Sequence, residues 1–365
     1  MKPLKYLFIS SMLFVATSCG NSWLDLEPST SVDTETSIKI LSDVEFTLNG
    51  IYSTMQSSDA YSGRLVYYGD VTGDDMQAVS STKRVANYYR FNFTKDDNPS
   101  SHWSYLYSII QNCNLILMNI DKLVIDEDDK AYRDDLKGEA LAIRGLALFD
   151  LTRIFGYPYL KDDGASLGVP IIEGLSTIDS KPTRNTVAQC YTKIIDDLTQ
   201  SLSLLGEKFN KGKINKWGAM VLLSRVYLYK GENANALKMA SDAIIGAEKN
   251  KYALWTNEDY PTAWGEDASA SKPGEVLFEI VNLTTDSPGK ESMGYLNSYD
   301  GYDDMCITCS FYQFLKEDPK DIRLKLLSFD KKYYAYVNKY QPQREENIED
   351  ANIPLIRLSE AYLNA

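Results

Sequence analysis

Histidine is almost missing from this chain: His102 is the only one in 365 residues. It stands upstream of the one G-x-S-x-G match, Gly164-Ala165-Ser166-Leu167-Gly168, against the Ser, Asp, His order of the hydrolases that use that elbow. The elbow also needs an apolar strand before it and a helix after it, whereas Lys161-Asp162-Asp163 precede this match and Pro170 follows. Cysteine is scarce as well, with five residues. Cys306-Ile307-Thr308-Cys309 is a lone C-x-x-C with no second pair and no nearby histidine, so it cannot complete a four-ligand zinc site. Cys113 and Cys190 sit inside helical patterns and read as core. Positive charge is in deficit, 38 Lys and Arg against 51 Asp and Glu, a net charge of −13. Phosphates are bound by excess cations, so this balance argues against nucleic acid or an anionic surface as partner. No catalytic residue, metal or cofactor is assigned. A carboxylate pair for glycoside hydrolysis would leave no sequence mark, since its pairing is spatial.

Long apolar runs are absent too, apart from the N-terminus. Lys2 and Lys5 precede an apolar core from Tyr6 to Ala16, broken by Ser10 and Ser11, and Thr17, Ser18 and Cys19 follow. That is the order of a secretory signal, too short to span a bilayer of about 30 Å. Small residues ahead of Cys19 resemble a lipobox, with Ala16 where leucine is usual. We therefore expect residues 1–18 to be a lipoprotein signal, Cys19 to be acylated, and residues 19–36 to tether a domain spanning 37–365.

What is present is helical periodicity and tyrosine, 26 residues of it. Apolar residues recur at helical spacing from Thr36 to Met55, Trp103 to Leu123, Asp128 to Phe155, Thr186 to Leu205, Asn215 to Lys230 and Ala234 to Ala247. Asn185-Thr186 is a start signal and Gly206 a stop, while Gly156 and Pro158 end the third segment. Stretches rich in Asp, Ser, Gly and Tyr separate these segments, chiefly 58–100 and 250–353. The expected fold is all-α dominated, a tetratricopeptide-like helical repeat scaffold with long irregular insertions. Leu223-Ser224-Arg225-Val226-Tyr227-Leu228 returns as Leu358-Ser359-Glu360-Ala361-Tyr362-Leu363. Gly231, Ala236 and Ala243 follow the first copy where a tetratricopeptide pair needs small residues. Helix pairs are expected over about 103–155 and 186–247, with an incomplete one from 354.

The motifs CGNSWLDLEP, WSYLYSIIQNCNLIL, ALAIRGLALFDLTRIFGYPY, GVPI, RNTVAQCYTKIIDDLTQSL, KWGAMVLLSRVYLYKGE, EVLFEI, DPKDIRL and IPLIRLSEAYLNA, in this order and spacing, resemble the SusD/RagB family. That resemblance implies a surface lipoprotein of the outer membrane, without catalytic activity. Such a protein captures a glycan, or in some members a peptide, and delivers it to a SusC-like TonB-dependent transporter. Arg144, Gly145, Phe155, Gly156 and Pro158 match a family motif and read as structural. Arg357 and Glu360 match the late motif and read as scaffold ion-pair residues. Family members continue past that motif, so the resemblance implies a C-terminally truncated chain whose last helix exposes Leu355, Leu358 and Tyr362.

No ligand residue transfers by motif, because ligand contacts in this family come from the variable insertions. Chemistry supplies the candidates. Sugars offer C–H faces to flat rings and hydroxyls to polar side chains. Trp255, Tyr260, Trp264, Tyr299 and Tyr302 in one insertion, and Asp70, Arg84, Tyr88 and Tyr89 in the other, meet that description. The competing use of such aromatics is to pin the loops to the scaffold.

Overall fold

The computed structural model describes residues 37–94, 99–177, 179–265, 273–330, 334–342 and 347–365. The signal, Cys19 and the tether lie outside these. The long helices are α1 (Leu41–Gln56), α4 (Pro99–Asn119), α5 (Lys130–Phe155), α6 (Val187–Leu204), α7 (Lys216–Lys230) and α8 (Asn233–Lys249). Short helices α2 (Arg64–Thr72) and α3 (Ala86–Tyr89) interrupt the first insertion, and α9 (Met293–Leu296) and α10 (Cys309–Lys316) the second. A last helix, α11, spans Leu358–Asn364. The architecture is helix-dominated, as the periodicity implies.

Local chemistry sets the ends of these helices. The Thr186 hydroxyl accepts from Gln189 N at 3.2 Å and the Gln189 amide accepts from Thr186 N at 2.9 Å, a capping box that starts α6. Asn215 Oδ1 accepts from Trp217 N and Gly218 N at 3.1 and 3.0 Å and starts α7. Helix α7 stops at Gly231, whose φ of +82° is the left-handed cap that glycine adopts without a Cβ penalty.

Small residues then let the helices meet. A Cβ on Gly246 would lie 2.0 Å from Trp217 Cζ3, so α8 can cover that indole only with glycine there. Ala236, Ala240, Ala243 and Ala247 are buried on the same helix. Between α5 and α6, a Cβ at Gly145 would come 3.0 Å from Leu198 Cγ. Beside that contact Arg144 is buried, its Nε and Nη2 on the two Asp197 oxygens at 2.8 and 2.7 Å and its Nη1 on Asn114 Oδ1 at 2.8 Å. A buried guanidinium persists only when paired in this way, so Arg144 and Gly145 are structural.

Among the described residues, three two-stranded antiparallel sheets organise the insertions. Strand β1 (Met76–Ala78) pairs with β3 (Met305–Ile307), Met76 opposite Ile307, and thereby joins the first insertion to the second. Strand β2 (Val276–Ile280) pairs with β6 (Ile353–Arg357), and β4 (Leu327–Phe329) with β5 (Ala335–Val337). The helix expected from near Pro354 is therefore a strand over its first five residues. Ile353 and Ile356 are β-branched and Pro354 lacks an N–H, so this segment pairs at the side of β2, and the helix begins at Leu358. Leu358, expected to be exposed, is 0% accessible. The two hexamer copies meet: Arg225 Nε and Nη2 bind Glu360 Oε1 and Oε2 at 2.5 and 2.6 Å, and Asn364 donates to Ser224 Oγ at 2.8 Å. Arg357 pairs separately with Glu275, Nη1 to Oε1 at 2.7 Å.

The sequence oddities resolve simply. Ser166 bonds Asp162 in a turn with Gly164 at φ +77°, away from His102, whose Nδ1 is 3.0 Å from Asp59 O. Cys306 and Cys309 are free thiols, Cys306 buried in β3 and pushed up to about 11 by that burial.

Candidate functional site

The two insertions, far apart in sequence, come together at β1 and β3. On the first insertion, Tyr67 and Val71 turn inward from α2 and leave Asp70 on its outer side. On the second, Trp255, Tyr260 and Trp264 form an edge-to-face triad with ring centroids 4.9 to 6.2 Å apart. Arg357 from the end of β6 caps the triad, its guanidinium carbon 4.7 Å from the Trp264 ring and 5.7 Å from the Trp255 ring. Glu275 holds both partners: one oxygen takes the Arg357 bond and the other accepts from Trp255 N at 2.9 Å.

Trp264 is 3% exposed, so its ring is an anchor of the loop and has no free face for a ligand. Trp255 and Tyr260 are half-buried on the same cluster. Tyr88 corrects the reading of the first insertion in the same way. It is 0% exposed, packed among Tyr67, Tyr68, Phe93 and His102. Its neighbour Tyr89 is exposed.

Arg84 and Tyr302, one from each insertion, are brought into contact. The guanidinium carbon lies 3.9 Å from the ring centroid. Arg84 also pairs with Glu291 at 3.2 Å and Asp304 at 3.5 Å, and Tyr302 meets Tyr295 edge-on at 4.9 Å. Tyr299 leans on Tyr336 at 5.9 Å and keeps 47% of its surface accessible. Of the candidates, Arg84, Tyr89, Tyr299 and Asp70 therefore present surface to solvent, while Tyr302 shows part of its ring.

A cavity of about 240 Å³ opens where the insertions join, lined by Asp70 and Met76 from the first and by Tyr260, Asn297, Arg323 and Lys339 among others from the second. Asp70 and Tyr260, 190 positions apart in numbering, meet here. Asp70 keeps an exposed outer surface, yet the protein crowded around its carboxyl raises it above the ordinary carboxylate range, against the pull of Lys339. Burial lowers the Lys339 ammonium, Arg357 repels it further and Asp70 opposes both. Lys339 Nζ rests 4.8 Å from the Trp264 ring. A second cavity of about 370 Å³ lies between α2, α5 and α7, but its charges are satisfied internally: Asp150 accepts from Tyr61 Oη at 2.8 Å and binds Arg153, while Arg225 is held by Glu360.

Sequence reasoning missed Arg323 and Lys339 as lining residues, because isolated polar residues in a long loop carry no signal of their own. Phe91 and Phe93 were also missed. Both are exposed aromatics in a polar stretch, the same signal that singled out the tyrosines, and Phe91 sits at φ +54°, a rare conformation for a bulky side chain. Among the described residues, no group of three or more His, Cys, Asp or Glu could hold a metal ion.

Comparison with known proteins adds identity to this geometry. The SusD-like family described as "Starch-binding associating with outer membrane" matches residues 22–228. A protein of known structure from Bacteroides vulgatus ATCC 8482 is 83% identical, with a TM-score of 0.88, over 90% of this chain and 74% of that one. A SusD superfamily protein from Bacteroides thetaiotaomicron VPI-5482 is 36% identical, with a TM-score of 0.83, over 90% of this chain and 75% of its own. SusD-like protein P2 of Formosa agariphila is 28% identical over 82% of this chain, and the SusD-like protein of Bacteroides ovatus 25% identical over 61%. The chain spans 57% and 39% of those two relatives. With a matching family and a shared helical scaffold, the chain belongs to the SusD-like family.

Proposed function

We propose that this chain is a glycan-binding lipoprotein of the outer membrane. It is held by acylated Cys19, faces the cell exterior and delivers an oligosaccharide to a SusC-like TonB-dependent transporter without cleaving it. The observation that carries the reading is membership of a family described as starch-binding and associating with the outer membrane. The geometry supports it, because exposed Tyr299, half-exposed Tyr302 and the Asp70–Lys339 cavity offer flat faces and hydroxyl partners in one region joined by the β1–β3 pair. No described helix is long and apolar enough to cross a membrane, so attachment on this reading is through lipid at Cys19.

The test is calorimetry of the purified chain against a panel of oligosaccharides, followed by analysis of the recovered sugars. Saturable binding with sugars returned intact is expected. Shortened products would replace the reading with a hydrolase, and tighter binding of peptides than of any sugar would replace it with a peptide carrier.

A further inference from the structure

We infer that Asp70 and Lys339 hold a hydroxyl of an uncharged sugar ring between them, so that the cavity they line admits neutral glycans and rejects those charged at the bound ring. This rests on the glycan-binding reading and adds the class of glycan and two residues that select it. Five polar residues line this cavity with no side-chain hydrogen bond or ion pair among the described residues: Asp70, Asp75, Tyr260, Lys339 and Tyr340. Asp70 and Asp75 are exposed and the other three half-buried, and none of the five polar ends is sealed from solvent. The larger cavity between α2, α5 and α7 is the contrast, since there Asp150 and Arg225 already have partners. Unspent hydrogen-bonding capacity in a cavity marks where a ligand supplies the partners.

Asp70 and Lys339 attract one another without being in ion-pair contact. Lys339 Nζ lies 4.8 Å from the Trp264 ring, an anchor that supplies no oxygen acceptor. A carboxylate only accepts and an ammonium only donates, whereas a hydroxyl does both. One sugar hydroxyl between the two groups therefore donates to Asp70 and accepts from Lys339, and both bonds are charge-assisted. An acidic group would satisfy Lys339 but face the carboxylates of Asp70 and Asp75, and an amine would satisfy those but face Lys339. Arg323 lines the same cavity and does not change the balance, because Asp321 takes its Nε at 3.0 Å and its Nη2 at 2.6 Å. At about 240 Å³ the cavity is below the roughly 300–1,000 Å³ of pockets that enclose drug-sized ligands, so it takes one ring of a longer chain.

The test measures Kd on the full chain for three sets of hexasaccharides: neutral (laminari-, malto-, cello-, manno- and xylohexaose), acidic (hexagalacturonate and hexamannuronate) and aminated (the glucosamine hexamer). The tightest ligand is expected in the neutral set. Asp70→Ala and Lys339→Met should each weaken that ligand about tenfold, the scale of one charge-assisted hydrogen bond, without lowering the melting temperature. Because one hydroxyl is shared, the double variant should lose little more than the worse single one. If Lys339→Met fails to fold, the exposed Asp70→Ala and the wild-type ranking still decide. Tightest binding of an acidic or aminated hexasaccharide, single variants within twofold of wild type, or fully additive losses in the double variant overturn the shared hydroxyl and leave the glycan reading in place. No binding to any sugar overturns both.

Discussion

At the scale of single residues, the decisive property is which way a ring points. Tyr88 and Tyr89 are consecutive, in the same polar stretch, and equally plausible as sugar platforms. The structure buries the first completely and exposes the second, because α3 packs one side onto Tyr67, Tyr68 and His102. Trp264 and Tyr299 divide in the same manner. Trp264→Ala should lower unfolding free energy by about 3 kcal/mol or more in urea titrations, the usual cost of deleting a buried large aromatic. Tyr299→Ala should stay within about 0.5 kcal/mol of wild type while weakening the glycan that calorimetry identifies. If Trp264→Ala proves neutral for stability and selectively loses ligand, the anchor assignment is wrong. Candidate aromatics in the loops were legible in the sequence by residue type. Their inward or outward facing was not, since a loop has no fixed period from which a face can be read.

At the scale of elements, the repeated hexamer gains a physical meaning. Position three of each copy, Arg225 and Glu360, forms a bidentate pair at 2.5 and 2.6 Å that fastens α11 to α7. Both side chains are about three-quarters shielded, 21% and 24% exposed, whereas the i,i+4 pair Lys238–Asp242 on α8 is 66% and 40% exposed. Double-mutant cycles to alanine should give a coupling on the order of 1 kcal/mol for Arg225–Glu360 and about 0.3–0.5 kcal/mol for Lys238–Asp242, the latter falling in high salt. Equal couplings would show that the geometry of the first pair adds nothing. The helical elements were visible in advance because periodicity and caps are local, as at Thr186–Gln189 and Asn215. The strand at Ile353–Arg357 was not, because its partner, Val276–Ile280, lies some seventy residues upstream and pairing at such separation leaves no local trace.

At the scale of the whole molecule, Glu139 links elements that the sequence keeps apart. It sits buried on α5, accepts from Tyr52 Oη of α1 at 2.7 Å, and has Lys213 at 4.0 Å from the loop before α7. Burial raises its carboxyl to about 7, with Lys213 and the Tyr52 bond pulling the other way. The folded chain therefore holds a proton that the unfolded chain has released. Between an unfolded pKa near 4.3 and the folded value, the folded state binds more protons, so stability from this group is lost as pH rises through that window. Glu139→Gln keeps an acceptor for Tyr52 and removes the titration. Relative to wild type, the variant should gain on the order of 2–3 kcal/mol in unfolding free energy on going from pH 5 to pH 8. A difference curve flat in pH would mean that the carboxyl is ordinary in the folded state.

By itself the sequence determined the class of the molecule: its helical scaffold, the small residues at helix contacts, the loops that could carry ligand chemistry, and the net acidic charge. These are set by local periodicity, residue size and net charge, each readable within a window of a few turns or from composition alone. Only the tertiary structure decided that Asp70 and Tyr260 line one cavity, that Arg84 stacks on Tyr302, and that Trp264 and Tyr88 belong to the interior. The reason is physical. Those relations depend on β1 pairing with β3 and on where each ring finds apolar neighbours, and both are set by contacts between segments some two hundred residues apart.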